Sequence, residues 1–350
     1  MNVLARAVVV AMLFAVIVSR LLSPPALAQG GGTIEPLYFH HVHLNSTDPA
    51  AAAAYYPKPF ALSATKTTFN GSEAVKSGNI YILFTKVATT PQNELTGPQT
   101  SVWHFGWNTP NSRQYDEKFR AMGLQIAQMW DAADGKLVDM SSDVLPGLPT
   151  QEQILEMRAK GTKPTLEGGF GYLRGPDGAM IENAQGGTSE RFNHVHMYHE
   201  HPNCAMDWYA KHLGAQRPQG RGRGGETPAP PGGGDCKTLL YAPPTWPSFA
   251  KTGFVREPSG GVNLPTKAAA GATADNISIS IRPWPGGGLV STRGKIVDHW
   301  AVSTADLSAT VNRLKSEGVK FLEEIHPWGN SRAAMIEGPD RIAIELVEVK

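Results

Sequence analysis

Histidine is concentrated in two short windows of this 350-residue chain, where seven of the 11 histidines fall at residues 40–43 and 194–201. Each window contains a His-Val-His triplet. Further along the chain, each triplet is followed by a lone histidine in a short apolar segment and then by a glutamate in another. Neutral imidazoles and a carboxylate are donors for divalent transition metals. The spacing therefore predicts metal chemistry on strands.

Two sets of the same composition carry this prediction. Each half of the chain offers two histidines and one glutamate as metal ligands: His41, His104 and Glu182, then His194, His299 and Glu345. A carboxylate within a buried strand is costly unless it is paired or binds a metal. Two imidazoles and one carboxylate with open positions favour Fe(II), and Zn, Mn or Ni would also fit.

Other polar residues have less specific roles. His43, His196 and His326 are candidate acids or bases, because a histidine titrates near neutrality. Arg332 either meets an anionic substrate or forms a surface ion pair. The histidines at 40, 199 and 201 are predicted to lie on the surface or in loops.

Four strand–helix units position these residues. In each unit a short strand contains a histidine, and a capped helix follows, as in the segment that starts at Asp48-Pro49. Side chains alternate between the two faces of a strand. Strict alternation places His41 on one face with Phe39 and His43, and Val42 on the other.

The units also pair as a long internal repeat. The segment Phe39-His-His-Val-His-Leu44 matches Phe192-Asn-His-Val-His-Met197, and Gly175-Pro-Asp to Glu182 matches Gly338-Pro-Asp to Glu345. We expect two homologous halves, residues 33–188 and 189–350. Insertions are expected at about 131–168 and, rich in Gly and Pro, at about 216–235.

The N-terminal segment predicts export. Residues 7–18 are an uninterrupted apolar run flanked by Arg6 and Arg20, and Ala26-Leu-Ala28 resembles a cleavage site. We expect a signal peptide over residues 1–28, a periplasmic or secreted protein, and no stable membrane anchor after cleavage. Cys204 and Cys236 could form a disulfide in such a compartment or remain thiols. The net charge of +1 gives no electrostatic case for nucleic acid.

Several motifs together resemble the vicinal oxygen chelate superfamily of glyoxalases, bleomycin-resistance proteins and extradiol dioxygenases. They are His194-Val-His196, the segment Asp207 to Gly214, the loop Pro327 to Arg332, and Gly338 to Glu345. The resemblance implies an α+β fold of tandem βαβββ modules, with two domains that each have a cupped mixed sheet and flanking helices. It also implies that the six residues named above bind the metal.

One departure from the family bears on the reaction. Some members carry a further glutamate at the end of the first module, and the matching stretches Ile80 to Phe84 and Ile277 to Ile281 lack it. We therefore expect a metal-dependent, dioxygenase-like enzyme acting on vicinal oxygens of a small substrate. The alternatives are a glyoxalase-like lyase or isomerase and a non-catalytic binding protein. A homodimer is compatible with the sequence, and which half is active stays open.

Overall fold

The computed structural model describes residues 36–93, 96–127, 151–161, 170–218, 259–268, 274–284 and 288–349. The predicted signal peptide, Cys236 and most of both predicted insertions lie outside these residues. No helix in the described ranges is long and apolar enough to cross a membrane.

Strands dominate the described residues. The strands are β1 (Tyr38–Ser46), β2 (Ala64–Phe69), β3 (Ser72–Ser77), β4 (Ile80–Lys86), β5 (Val102–Thr109), β6 (Phe170–Arg174), β7 (Met180–Gln185), β8 (Arg191–His199), β9 (Gly260–Pro265), β10 (Asn276–Pro283), β11 (Val297–Thr304), β12 (Lys320–Trp328), β13 (Ser331–Glu337) and β14 (Ala343–Glu348). The helices are α1 (Pro49–Tyr55), α2 (Ser112–Ala121), α3 (Gln151–Ala159), α4 (Pro202–Leu213) and α5 (Leu307–Ser316).

Side-chain caps set the starts of three of the four helices that follow the histidine strands, the exception being α4. Asp48, Asn111 and Asp306 each accept a hydrogen bond from a backbone N–H of the first turn, which satisfies a donor that the helix leaves unpaired. The second helix thus begins after Asn111, two residues later than Thr109-Pro110 suggests. Gly214 ends α4 in the left-handed conformation, at φ 70°.

The strands form four modules. Module 1 is β1–β4, module 2 is β5–β7, module 3 is β8–β10 and module 4 is β11–β14. One eight-stranded sheet has the order β12-β13-β14-β11-β1-β4-β3-β2, and one six-stranded sheet has the order β6-β7-β5-β8-β10-β9. Module 1 therefore shares a sheet with module 4, and module 2 with module 3. The α+β module architecture is as predicted, although each sheet draws strands from both halves.

The faces of the sheets away from the histidines form the main core. Phe39 packs against Phe192 of the other sheet, with ring centroids 6.4 Å apart, and stacks on Trp300 at 5.9 Å. Helix α4 contributes Tyr209 and Leu213 to the same core. It also carries Cys204, which is disulfide-bonded.

A β-bulge precedes the key histidine in every one of the four inner strands. The extra residue is His40 in β1, Trp103 in β5, Asn193 in β8 and Asp298 in β11. A bulge lets one additional residue face the same side as its neighbour. Strict alternation is therefore wrong just before each histidine, and Phe39 lies in the core instead of beside His41.

Candidate metal centres

Two clusters of buried ligand-type side chains lie on the faces of the sheets opposite the main core. Centre 1 is His41 and His43 of β1, His299 of β11 and Glu345 of β14. The His41 Nε2 atom lies 3.2 Å from Glu345 Oε2, and His299 Nε2 lies 3.6 Å from the same oxygen. All four side chains are buried.

Centre 2 repeats this arrangement in the other sheet. It consists of His194 and His196 of β8, His104 of β5 and Glu182 of β7. Glu182 Oε2 lies 2.5 Å from His104 Nε2, 3.1 Å from His194 Nε2 and 3.6 Å from His196 Nδ1. In both centres, the candidate ligand atoms lie within 4.8 Å of one another.

The predicted grouping of ligands by half is wrong. His41 of the first half meets His299 and Glu345 of the second, whereas His194 of the second half meets His104 and Glu182 of the first. The cause is the sheet order, because β1 pairs with β11 and β5 pairs with β8. The predicted domain boundary near residue 188 stays a prediction for the chain, but neither centre lies within one half.

The strand register explains why the two centres look alike. His43 faces His299 and Ala301 faces Glu345 around centre 1. Around centre 2, His196 faces His104, and Gly106 faces Glu182. A Cβ at Gly106 would come within 2.7 Å of the His194 ring, so this position requires a very small residue.

His43 and His196 lie opposite the strand positions that a second carboxylate would occupy. The residue of β4 opposite His43 is Leu83, and the residue of β10 opposite His196 is Ser280. In modules 2 and 4 the equivalent strand position carries the glutamate. Each centre thus offers three imidazoles and one carboxylate, one more histidine than the predicted set.

The bulge residues orient the histidines. His299 Nδ1 donates to Asp298 Oδ1 at 2.6 Å, and His194 Nδ1 donates to Asn193 Oδ1 at 2.7 Å. His40 and His41 share a hydrogen bond between their Nδ1 atoms at 2.8 Å. A bonded Nδ1–H leaves a lone pair on Nε2, which is the form that binds a metal.

Centre 2 departs from this scheme at one residue. The bulge residue before His104 is Trp103, whose ring packs edge-on against His104 with centroids 4.4 Å apart. His104 Nδ1 consequently has no hydrogen-bond partner within the described part of the chain. Centre 1 therefore has a more complete polar support than centre 2.

Electrostatics keep most of these groups in the form that a metal requires. Burial lowers the pKa of His104 to about 4 and that of His43 well below its usual value, so both imidazoles are neutral at pH 7. Burial works against the charge of Glu345, but His299 and His41 outweigh it and hold the pKa of that carboxyl well below its usual range. His299 is the exception, because the carboxylates of Asp298 and Glu345 overcome burial and raise its pKa to about 9.

Unpaired atoms test whether a metal would fit. At centre 1, one atom of each residue is buried without a hydrogen-bond partner among the described residues: His41 Nε2, His43 Nδ1, His299 Nε2 and Glu345 Oε2. Buried polar atoms nearly always have partners. Two ligand atoms about 2.1 Å from one metal lie roughly 3.0–3.4 Å apart, close to the 3.2 and 3.6 Å separations here. The donor set fits a divalent metal.

The remaining predicted site residues lie elsewhere or change role. His43 and His196 belong to the clusters as candidate ligands. His326 lies on the edge strand β12, 37% exposed and outside both clusters. Arg332 forms a two-pronged ion pair with Glu348 at 2.9 and 2.6 Å and does not contact either centre.

Buried histidines outside the clusters also correct the sequence-based picture. His40 and His199 are 6% and 0% exposed, so neither is a surface or loop residue. His199 Nδ1 donates to Asp340 Oδ2 at 2.7 Å, and its Nε2 bonds the Tyr209 hydroxyl at 3.0 Å. This group ties the end of β8 to the turn before β14.

Sequence reasoning missed the bulge residues. Each strand shows a recognisable signal, because two successive non-core residues interrupt the apolar alternation, as in Phe39-His-His-Val42 and Val297-Asp-His-Trp300. That break predicts an extra residue in the strand. It could have identified Asp298 as a partner of His299.

Comparison with known proteins agrees with this geometry. Residues 191–346 match the sequence profile of the Glyoxalase/Bleomycin resistance protein/Dioxygenase superfamily. Over these residues the chain is similar to that superfamily. The resemblance inferred from the sequence motifs is thereby confirmed.

Solved structures extend the similarity to nearly the whole chain. Glyoxalase I from Zea mays aligns with a TM-score of 0.52 and 15% identity, covering 90% of this chain and 93% of that one. A protein described as a candidate dioxygenase from Bacillus subtilis aligns with a TM-score of 0.50 and 12% identity, covering 90% of this chain and 86% of its own. At these identities the likeness establishes the shared fold. No curated protein sequence matches the chain.

Proposed function

We propose that this chain is an exported, metal-dependent enzyme of dioxygenase type that binds two neighbouring oxygens of a small substrate. The observation that carries the proposal is the convergence of four unpaired, buried donor atoms at centre 1. Because three of them are imidazole nitrogens and one is a carboxylate oxygen, the set suits Fe(II) and other borderline divalent metals.

The side chains around centre 1 have separable tasks. Asp298 accepts from His299 Nδ1 and is itself held by Arg293, by the Gly294 N–H and by Asn45. This network fixes the direction of the His299 ring. Thr85 bonds His43 Nε2 at 2.7 Å and leaves its Nδ1 facing the cluster. A bound divalent metal would supply Lewis acidity toward substrate oxygens.

The missing second carboxylate favours the dioxygenase-type reaction over a glyoxalase-type one. Leu83 and Ser280 stand at the two positions where a further glutamate would approach. A donor set with a single carboxylate leaves the site more positive. Such a site is suited to substrates that bind through two anionic oxygens.

Metal content tests the proposal directly. We expect about two equivalents of transition metal per chain after purification without chelators. His299→Ala and His104→Ala should each lose about one equivalent, whereas the half-exposed His326→Ala should lose none. Less than a tenth of an equivalent in the unaltered protein would contradict the proposal.

Oxygen consumption separates the candidate reactions. With Fe(II)-loaded protein and catechol-type diols, we expect uptake of O₂ that His299→Ala or His104→Ala abolishes. Isomerisation or elimination of an oxygenated substrate without O₂ uptake would favour a lyase. Binding of such compounds without turnover would favour a sequestering protein.

Export rests on the apolar run at 7–18, and the disulfide at Cys204 supports it because structural disulfides persist mainly outside the cytosol. We expect the mature protein to begin close to residue 29. Mass spectrometry of the protein recovered from a periplasmic or secreted fraction tests this. An intact N-terminus in the cytoplasm would contradict it.

A further inference from the structure

Arg282 is a cationic side chain on the centre 2 face of the six-stranded sheet. In β10, Ser278, Ser280 and Arg282 align with His194, His196 and Tyr198 of β8. The alternate residues Ile277, Ile279 and Ile281 are buried in the core on the opposite face. The pleat therefore directs Arg282 to the same side as the centre 2 histidines.

The contacts of Arg282 confirm this placement. Its guanidinium carbon lies 5.8 Å from the centroid of the Trp103 ring. Trp103 in turn packs against His104 and His196, with ring centroids 4.4 and 5.9 Å away. The positive charge of Arg282 contributes to the lowered pKa of both histidines, after burial and their closer neighbours.

Arg282 also has no acidic partner in the described ranges of the chain. No carboxylate or hydrogen-bond acceptor pairs with it among the residues that the structure describes, and the side chain is half-buried. A half-buried guanidinium normally finds an anion or acceptor, because it presents five donors in a fixed plane. With respect to the described part of the chain, its donors are therefore available to a ligand.

The equivalent position at centre 1 differs in charge. There β4 carries Thr85, which bonds His43 and has no charge. Centre 1 also has a second buried carboxylate beside it, Asp298. Among the described residues, centre 2 has one carboxylate, Glu182, and one cation without a carboxylate partner, Arg282. The cation beside centre 1, Arg293, is already paired with Asp298 and Glu323, so within the described ranges it is centre 2 that offers a cation to a negatively charged group.

We propose that centre 2 binds a small organic carboxylate, with Arg282 holding the carboxylate group and the histidine cluster receiving its oxygen substituents. The binding of the oxygen substituents rests on the proposed metal-dependent function, whereas the binding of the carboxylate by Arg282 does not. Arg282 lies two residues along the sheet from the Ser280–His196 pair, which is about 7 Å. A single six-membered ring bearing the carboxylate at one end and two adjacent oxygens at the other spans that distance.

Paired probes test the proposal with the full-length, metal-loaded protein. The chelating pair is 3,4-dihydroxybenzoate and 4-methylcatechol, which differ mainly in the carboxylate, and benzoate is the probe without chelating oxygens. Titration calorimetry on the parent protein should show tighter binding of the dihydroxybenzoate at one of two sites. In Arg282→Gln its affinity should fall about 10- to 100-fold, while 4-methylcatechol binds as before.

A matched variant and metal analysis keep the outcomes distinct. Arg191→Gln removes a charge from the same sheet, at an exposed ion pair with Asp275, and should retain the dihydroxybenzoate affinity. Metal content should be unchanged in both variants. Equal binding of the two diols by the parent protein, or an Arg282→Gln variant that binds dihydroxybenzoate normally, would overturn the proposal.

Failure of the proposed function would look different. If the protein holds no metal yet binds benzoate in a manner that depends on Arg282, the carboxylate site is supported and the metal-dependent function is contradicted. If the protein holds two metals but its binding of dihydroxybenzoate does not depend on Arg282, the metal-dependent function is supported and the carboxylate site is contradicted.

Discussion

The residue opposite each glutamate in the neighbouring strand determines whether the side chains of the cluster can approach one another. Gly106 and Ala301 occupy matching positions, opposite Glu182 and Glu345. A Cβ at Gly106 would lie 2.5 Å from the Glu182 carbonyl oxygen and 2.7 Å from the His194 ring, neither of which can move freely. The two centres therefore tolerate different substitutions at the same place.

A reciprocal exchange tests this difference. We expect Gly106→Ala to displace His194 and to lose about one metal equivalent. We expect Ala301→Gly to keep both equivalents, because removing a methyl group obstructs nothing. Metal analysis and thermal denaturation of both variants give the measurement, and full metal content in Gly106→Ala would contradict it.

Asp298 is expected to act on metal affinity through His299. Outer partners of ligating histidines commonly change metal affinity about 10- to 100-fold when they are replaced. We predict that Asp298→Asn weakens binding at centre 1 by about tenfold, measured by competition with a chromophoric chelator. Asp275→Asn, which removes an exposed acid, serves as the control. Identical chelator curves for the parent and Asp298→Asn would count against this role.

The individual ligands were the most predictable part of the site. All six predicted ligands lie in the clusters, because imidazole and carboxylate in apolar strands are rare enough to identify. The supporting residues were not predictable from strict alternation, because a bulge shifts every side chain that precedes it. Arg282 was missed for another reason, since only the β8–β10 register reveals that it shares a face with His196.

At the scale of elements, each of the two strands that carry a His-Val-His triplet is held at its end by one Gly-Pro-Asp turn. Asp177 and Asp340 both have a positive φ, 55° and 53°. Asp177 accepts from Ser46 and Thr47 at the end of β1, and Asp340 accepts from His199 and the Glu200 N–H at the end of β8. Each turn belongs to the sheet that does not contain the strand it braces. The turns therefore fasten one sheet to the other.

Replacing Asp340 should destabilise the fold through two separable effects. Asp340→Ala leaves the fully buried His199 without its acceptor and replaces aspartate, which tolerates a positive φ, with alanine, which tolerates it less well; together these cost about 2–4 kcal/mol. Asp340→Gly relieves the backbone and should cost about 1–3 kcal/mol. Denaturant unfolding measures both, and an Asp340→Gly variant as stable as the parent would contradict the prediction.

Helices α4 and α5 are joined by a pH-dependent contact. His212 Nδ1 donates to Glu317 Oε2 at 2.6 Å, and Arg313 bonds the same carboxylate at 3.0 and 3.1 Å. Burial works against the charge of Glu317, but His212 and Arg313 outweigh it and lower its pKa. The charged carboxylate thus stabilises the folded chain.

The sign of the effect follows from that direction. A lowered pKa contributes stability that is fully present above the unfolded value and is lost as the pH falls through the folded value. Glu317→Gln should lower the free energy of unfolding by about 0.5–1 kcal/mol at pH 7. The difference in the free energy of unfolding between the variant and the parent should become smaller at the most acidic pH at which both proteins remain folded. A gap that widens on acidification would refute the assignment.

The module architecture was largely predictable, and the pairing of modules was not. Each histidine strand, each capped helix and each Gly-Pro-Asp turn has a local signal in the sequence. No local signal identifies the strands that pair with β1, because β4, β11 and β8 are all apolar strands of similar length. Proximity in the chain favoured pairing within a half, and the long-range packing of Phe39 on Trp300 prevails instead.

For the whole molecule, shared sheets predict that the two halves cannot separate easily. A protease site engineered at residues 187–188, in the turn between β7 and β8, should allow cleavage without dissociation, because β1–β11 and β5–β8 pairing crosses the cut. We expect the nicked protein to elute at its original volume and to keep its metal. Two separate peaks in size-exclusion chromatography would contradict the shared-sheet arrangement.

The pairing of β1 with β11 also orders events while the chain is being made. Asn45 and Asp298, which bond each other, are 253 residues apart. Modules 2 and 3 are consecutive, so their sheet can close early, whereas β1 must await the last module. Until then one edge of the first module is an unpaired strand, open to other chains. A nascent chain is therefore most vulnerable to aggregation through its earliest strand, and chaperones that shield extended segments would have their greatest effect there.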